Sequence, residues 1–186
     1  MLNENDKIFL LNLARTAINE YIINGTIISP PKDTPIYLKE KMGAFVTLNK
    51  NNTLRGCIGY SEPFKPLVQA IIDVAIAAAS SDPRFNKVKV DELDNIKLEI
   101  SVLTKPKLII VDKPQEYLNK IVVGKHGLIV EKGIFKGLLL PQVPIEWNWD
   151  VEEFLCQTCV KAGLMDDAWF DEDVKIYTFQ AIVFKE

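Results

Sequence analysis

The chain has 186 residues, of which 48% are hydrophobic and 25% are charged, and its formal net charge is -3. This length and apolar content exclude a disordered protein and suit one domain that buries its core without disulfide or metal cross-links. The mild acidity argues against nucleic acid as the main partner, because phosphate binding requires a basic surface. The sequence contains one histidine, His126, so any chemistry that needs an imidazole must use it.

The N-terminal segment lacks the basic leading region of a signal peptide, and Glu4 and Asp6 precede its apolar stretch. The longest apolar region, residues 66–81, carries Asp73 near its middle and is shorter than the roughly 20 residues of a membrane-spanning helix. We therefore expect a cytoplasmic protein without a membrane segment. Three cysteines, an odd number, favour free thiols in that reducing compartment.

Hydrophobic spacing predicts three main helices and two short ones. The main helices cover residues 6–23, capped by Asn5 or Asp6, then 66–80, buried against a sheet, and 151–162, ending before Gly163. The short helices cover residues 36–42 and 115–120.

Alternating and β-branched runs predict the strands. These runs are 43–48, 54–60, 97–103, 127–132, 134–140 and 175–184. The first two flank Asn-Lys-Asn-Asn-Thr, whose asparagines tolerate the left-handed backbone of a hairpin turn. Hairpins interrupted by helices predict an α+β fold with a largely antiparallel sheet flanked by helices. We expect a single domain over residues 1–186, with a smaller lobe around 112–150.

The run LRGCIG at residues 54–59 is the most unusual local sequence. Its two glycines weaken a strand, so they indicate a bulge, a bend or the close approach of another backbone or a ligand. In a regular strand Leu54 would face the core, whereas Arg55, Cys57 and Gly59 would share the other face. The Arg55 guanidinium would then lie roughly 7 Å from the thiol and favour its thiolate form, with open space at Gly59. The alternative is a small core cysteine with glycines that serve packing.

His126 lies in Gly-Lys-His-Gly, a sequence typical of a turn with accessible backbone. Its imidazole has a suitable pKa for a general base or for a thiol partner. The alternatives are a surface-turn histidine or a ring that bonds a backbone carbonyl. His126 is the candidate acid/base by exclusion alone, because the chain contains no other imidazole.

Two further charged residues are candidates for the same site. Glu99 projects from the polar face of its strand, where it could orient His126 or pair with Arg55, although a solvated strand face is the alternative. Arg84 follows Asp82-Pro83, a rigid turn that could present it to an anionic ligand. The turn could equally be a helix stop with a capping ion pair.

Cys156 and Cys159 are three residues apart inside a predicted helix, a placement that is poor for a disulfide and favours core packing. The common signatures of nucleotide-binding proteins, zinc proteases and serine hydrolases are missing from the sequence. We expect no cofactor and no metal site, since a zinc site that combines these cysteines with Cys57 and His126 lacks diagnostic spacing.

At residues 54–59 the sequence resembles the hallmark of the AMMECR-one domain family. Further segments match that family in order along nearly the whole chain. They are residues 43–48, 82–85, 99–103, 126–128, 140–143 and 159–164. The resemblance implies an α+β domain with an antiparallel sheet, helices packed against it and a smaller lobe.

The family carries no established activity, and the resemblance implies that its members work alongside Memo-like and radical-SAM proteins. It also assigns the motif residues of the candidate site. These are Arg55, Gly56, Cys57 and Gly59, with Arg84, Glu99, His126 and Gln142 as the other polar positions in matched segments.

The residues and the resemblance lead to two hypotheses. In the first, the chain is a thiol-dependent enzyme on a small or peptide-like substrate, in which Cys57 is the nucleophile, Arg55 orients an anionic group, His126 is the acid/base and Glu99 assists. In the second, a groove around the Arg55 to Gly59 strand makes a non-catalytic regulatory module that binds a small molecule or a protein. RNA binding is disfavoured by the acidic charge.

Overall fold

The computed structural model describes residues 2–186. The chain forms two compact units, Met1–Leu103 with Ile182–Glu186, and Thr104–Ala181. Each unit contains a four-stranded sheet and its own hydrophobic core. The predicted α+β class with antiparallel pairing is therefore confirmed. The segment 112–150, expected to form a smaller lobe, lies within the second unit.

Helices and strands follow one another along both units. The helices are α1 (Glu4–Asn24), α2 (Leu67–Ser80), α3 (Tyr117–Lys120), α4 (Val143–Glu146) and α5 (Val151–Lys161). The strands are β1 (Gly43–Lys50), β2 (Thr53–Tyr60), β3 (Ile96–Leu103), β4 (Lys107–Leu108), β5 (Gly127–Lys132), β6 (Phe135–Leu139), β7 (Lys175–Phe179) and β8 (Ala181–Lys185). Short 3-10 turns occur at Ile36–Lys39, Val90–Asn95, Pro114–Glu116 and Ala168–Phe170. No helix within residues 2–186 has the length and hydropathy needed to cross a membrane.

The first helix starts earlier than its apolar pattern predicts. Asn3 is the N-cap, and its side chain accepts a hydrogen bond from the Asp6 backbone N–H while the Asp6 carboxylate accepts one from the Asn3 N–H. This reciprocal capping box satisfies two of the free N–H groups at the helix start. The predicted cap at Asn5 or Asp6 is therefore wrong, because Asp6 supports the cap from inside the first turn.

Strands β1 and β2 form the predicted hairpin, and its turn residues Asn51 and Asn52 have positive φ angles of 52° and 61°. The register slips between Leu48 and Asn49, which face Gly56 and Leu54 respectively, so that Arg55 is an extra residue at a bulge. The slip reverses the expected face of Leu54, which is 42% exposed instead of buried.

The first sheet has the strand order β2-β1-β3-β8, and α1 and α2 cover one of its faces. Gly56 points toward α2, where a Cβ atom would lie 2.2 Å from the carbonyl oxygen of Ala78. A side chain at residue 56 would collide with helix backbone, which cannot rotate away as a side chain can. Gly56 therefore allows the close approach of strand and helix.

The second sheet has the order β4-β7-β5-β6, and α5 packs on β5 and β6 around buried Phe154 and Cys159. The single closing strand expected over residues 175–184 is wrong. The strand is interrupted at Gln180, so that β7 pairs in the second sheet and β8 pairs in the first. Thr104 holds the backbone of Gln180 with two hydrogen bonds of 2.9 Å. The Thr104 N–H donates to the Gln180 carbonyl oxygen, and the Thr104 hydroxyl oxygen accepts from the Gln180 N–H.

We expect Gly56→Ala to lower the free energy of unfolding by about 3 kcal/mol, the upper part of the range for overpacking, because the Ala78 carbonyl can move only with α2. Urea denaturation of the full chain measures the change. Cys57→Ala, at the next position on the opposite face, is the control and should cost about 1 kcal/mol or less. Equal midpoints for Gly56→Ala and the parent chain would contradict the packing role.

Candidate functional site

The sheet face opposite the two helices carries a row of three side chains across neighbouring strands, which we call the thiol row. Cys57 on β2 faces Thr47 on β1, and Thr47 also faces Glu99 on β3. Directly opposed residues point to the same side of a sheet, with Cβ atoms about 5 Å apart. The hydroxyl Oγ1 of Thr47 donates a hydrogen bond to the half-buried Cys57 Sγ at 3.2 Å.

The backbone of Cys57 is held by two side chains from the turn after α2. Strand β2 lies at the sheet edge, so the outward N–H and C=O of Cys57 face no neighbouring strand. The N–H donates to Asp82 Oδ2 at 2.8 Å, and Arg84 Nη2 donates to the carbonyl oxygen at 3.2 Å. Asp82 and Arg84 thus replace a neighbouring strand at this one residue.

Asp82 also pairs directly with Arg84. Arg84 Nε and Nη2 donate to the two Asp82 oxygens at 3.0 and 2.7 Å, and the Arg84 backbone N–H donates to Oδ1 at 3.1 Å. The carboxylate is buried, and the hydrogen bonds from Arg84 hold the pKa of Asp82 well below its usual range despite that burial. The structure shows the ion pair that the Asp-Pro turn could form, and the binding of an anionic ligand by Arg84 stays a prediction.

Arg55 is engaged by a second carboxylate. Its Nε and Nη2 donate to the two oxygens of Glu92 at 3.0 and 2.9 Å, and its Nη1 donates to the Asn86 carbonyl at 3.0 Å. Lys50 adds a third charged bond to Glu92 at 2.9 Å, and these bonds, with Arg55 first, hold the pKa of Glu92 well below its usual range. To orient an anionic ligand as expected, Arg55 would have to leave Glu92.

Gly59 does not leave open space beside the thiol. A Cβ atom there would lie 2.2 Å from Phe45 Cδ1 and 2.6 Å from the Ala44 carbonyl oxygen. Phe45 faces Gly59 across the β1–β2 pair, and its ring occupies the position that the absent side chain leaves. The expectation of open space is therefore wrong, and the packing reading of this glycine holds.

His126 and Gln142 belong to the second unit, whereas Arg55, Cys57 and Glu99 belong to the first. His126 lies in the turn before β5, and its Nδ1 accepts a hydrogen bond from the Val122 backbone N–H at 3.2 Å. Burial, with a smaller contribution from the Lys125 charge, lowers the pKa of His126. The exposed Gln142 precedes α4. The pairing of His126 with Cys57 stays a prediction.

The other two cysteines pack in the second unit. Cys159 is fully buried, and burial raises its pKa to about 11, whereas Cys156 is half-buried and its pKa is raised mainly by burial. The helical spacing of the two residues predicts this core position. Within residues 2–186, no group of three or more histidine, cysteine, aspartate or glutamate side chains is arranged to hold a metal ion.

Sequence reasoning missed Thr47 and Glu92 as neighbours of the motif. Thr47 is one threonine in a strand, and counting back from the Asn51-Asn52 turn would have placed it opposite Gly56, because the bulge at Arg55 shifts the register by one residue. Glu92 lies in a segment with no periodic pattern, 37 positions from Arg55, so no local signal links the two residues.

We expect Asp82→Asn to lower the free energy of unfolding by about 2 kcal/mol, because the change removes one charge of a buried pair. The estimate is below the range for fully buried pairs, since the Arg84 side chain is 54% exposed. The lowered pKa of Asp82 means that its stabilisation is present above pH about 4 and is lost as the pH falls further. Urea denaturation at several pH values measures both effects.

Asp94→Asn is the matched control, since Asp94 is exposed and should tolerate the same change with little loss. An Asp82→Asn chain as stable as the Asp94→Asn chain would show that the buried pair does not hold the strand edge.

We expect the imidazole of His126 to titrate below the usual histidine pKa of about 6.5. The unfolded chain then binds the proton more readily, so this group's contribution to stability is present above pH about 6.5 and is lost as the pH falls toward the folded pKa. The NMR signal of the single histidine, followed against pH in folded and urea-unfolded protein, measures the shift. A folded midpoint at or above the unfolded one would contradict it.

Comparison with known proteins assigns the chain to a family. The family model AMMECR1 matches residues 11–184. Protein PYRAB00100 from Pyrococcus abyssi is 60% identical over 183 residues, covering 96% of this chain and 89% of that protein. A protein from Methanothermobacter thermautotrophicus is 51% identical over 177 residues, covering 95% and 92% of the two chains.

A solved structure shares the fold. The crystal structure of the uncharacterized protein PH0010 from Pyrococcus horikoshii matches with a TM-score of 0.84 and 58% identity, over 96% of this chain and 90% of that one. The matched family model spans both units described above. The chain therefore belongs to the AMMECR1 family.

Proposed function

We propose that the chain is a thiol-dependent enzyme that acts on a small or peptide-like substrate, with Cys57 as its nucleophile. The observation that carries the proposal is the 3.2 Å hydrogen bond from Thr47 Oγ1 to Cys57 Sγ. A donor directed at sulfur stabilises the thiolate more than the thiol, and the thiolate is the nucleophile.

The backbone on both sides of the thiol is fixed, which supports this role. Asp82 and Arg84 hold the N–H and C=O of Cys57, so the direction of its side chain is set by two charged groups. A nucleophile that is held before the substrate arrives loses less entropy when it reacts.

Glu99 supplies a candidate base in the same row as the thiol. Its half-buried side chain makes no hydrogen bond or ion pair with the residues that the structure describes, in contrast to Asp82 and Glu92. Its carboxylate is therefore available to a substrate or a substrate-bound water. His126 remains the candidate acid/base that the sequence predicts. We also keep as proposals the cytoplasmic location and the Memo-like and radical-SAM partners that the resemblance implies.

A second candidate is the non-catalytic module that binds a ligand or a protein partner through the Arg55 to Gly59 strand. This second candidate is favoured by the contacts of the motif residues, because Arg55 is hydrogen-bonded to Glu92 and packing requires both glycines. In this case the motif would build a rigid surface in which the sulfur performs no chemistry.

Alkylation of the folded chain distinguishes the two candidates. With iodoacetamide at pH 7 and peptide mass spectrometry, we expect Cys57 to react before Cys156, and Cys159 to stay protected by burial. We expect Thr47→Val to slow the reaction of Cys57 by about threefold. A threefold change corresponds to about 0.65 kcal/mol, which is within the usual net contribution of one hydrogen bond.

Thr178→Val is the matched control, a half-buried strand threonine in the other unit, and it should leave the Cys57 rate unchanged. A Cys57 that reacts only after unfolding would eliminate the enzyme and leave the binding module. An unchanged rate in Thr47→Val would remove the observation on which the enzyme proposal rests.

A further inference from the structure

A cavity of about 520 Å³ opens on the second unit, and its lining residues all belong to that unit. One wall is the turn between β5 and β6, and the other is the segment that follows α5. Its apolar lining consists of Ile134, Phe135, Leu164 and Met165, together with Ala168. We call this cavity the Ile134–Met165 groove.

The apolar side chains of the groove are unusually exposed. Ile134 is 94% exposed and Met165 is 74% exposed, and Phe135 adds a ring that is 48% exposed. Isolated surface hydrophobic residues are common, but several that line one concavity mark an interaction site. Methionine is also common on surfaces that adapt to partners.

Folding alone gives no reason for an isoleucine at residue 134. Lys132 pairs with Phe135, so Gly133 and Ile134 form a two-residue turn, and Gly133 has a positive φ of 59°. Such a turn requires glycine at its first position and accepts polar residues at its second. The hairpin would therefore form equally well with serine in place of Ile134.

The rim of the groove is acidic. Asp167, Asp171 and Asp173 line it, and Asp166 and Glu172 are exposed in the same segment. Among the lining residues these carboxylates are opposed by one lysine, Lys132, whose Nζ lies 2.6 Å from Asp171 and 3.0 Å from Asp173. Three lining carboxylates against one lysine leave a net negative rim around an apolar floor.

This charge selects among possible occupants. A second copy of the chain docked through the same face would bring two acidic rims together, and an anionic membrane would be repelled in the same way. A partner with cations placed around an apolar residue would gain from both features of the groove.

We propose that the Ile134–Met165 groove docks a protein segment that presents one large apolar side chain flanked by lysine or arginine residues. The apolar side chain fills the cavity against Ile134 and Met165, and the flanking cations lie along Asp167 and its neighbours. The proposal is independent of the thiol chemistry, since it uses no residue of the first unit.

The probe is a synthetic peptide with a central leucine and two lysines on each side, added to the full ¹⁵N-labelled chain. We expect saturable NMR shifts at Gly133, Ile134 and Met165. Ile134→Ser should weaken binding about tenfold, because it removes the apolar contact. Asp167→Asn should weaken binding and reduce its dependence on salt. Ile110→Ser, a 76% exposed isoleucine of the same unit outside the groove, should change neither.

Two matched peptides test both halves of the proposed chemistry. A central serine or four flanking glutamates should each abolish saturable binding. Equal binding of the serine peptide, equal affinity for the Ile134→Ser chain, or no shifts at millimolar peptide would each overturn the proposal. Sedimentation that shows self-association lost in Ile134→Ser would overturn it in favour of a second copy as the occupant.

Discussion

The buried carboxylate of Asp82 is the interaction on which the geometry of the thiol row depends. It begins the turn after α2, pairs with Arg84 and accepts a hydrogen bond from the Cys57 N–H at the edge of the first sheet. An edge strand exposes backbone groups that could pair with another chain, and here a charged side-chain pair satisfies them at one residue. A single ionised group therefore connects the turn after α2 to the sheet edge and to the backbone of Cys57.

The two motif arginines have different surroundings, and this difference limits what each can do at the thiol. Arg55 is mostly buried and directs three of its nitrogens at Glu92 and the Asn86 carbonyl. Arg84 is half-exposed and bonds the Cys57 carbonyl while it pairs with Asp82. Both guanidinium groups are matched by carboxylates with lowered pKa values, and the Arg84 group also interacts with the Cys57 side chain. The Thr47 hydroxyl adds a hydrogen bond to the sulfur at 3.2 Å.

Local sequence predicted the elements well where one residue type has one strong preference. The asparagines at 51 and 52 tolerate a left-handed backbone, and they form the turn of the β1–β2 hairpin, whereas the bulge at Arg55 brings Thr47 opposite Cys57. The two glycines of the motif predicted a bulge, a bend or a close approach, but they did not specify Arg55 as the extra residue, because its position depends on how Gly56 meets the Ala78 carbonyl on α2. The strand break at Gln180 was missed for a similar reason. Alternating apolar residues specify a strand, but they do not specify which of two sheets receives it.

The glycines of the motif show why an unusual sequence is weak evidence for ligand binding by itself. Gly56 is required by helix backbone and Gly59 by the Phe45 ring, so packing accounts for both without a ligand. Ile134 presents the opposite case, since its turn would accept a polar residue and no packing retains the exposed side chain. A residue that the fold does not need is the better indicator of function. By that criterion Glu99, unpaired within the described chain and opposite the threonine that bonds the thiol, is a stronger candidate for chemistry than Gly59 or Arg55.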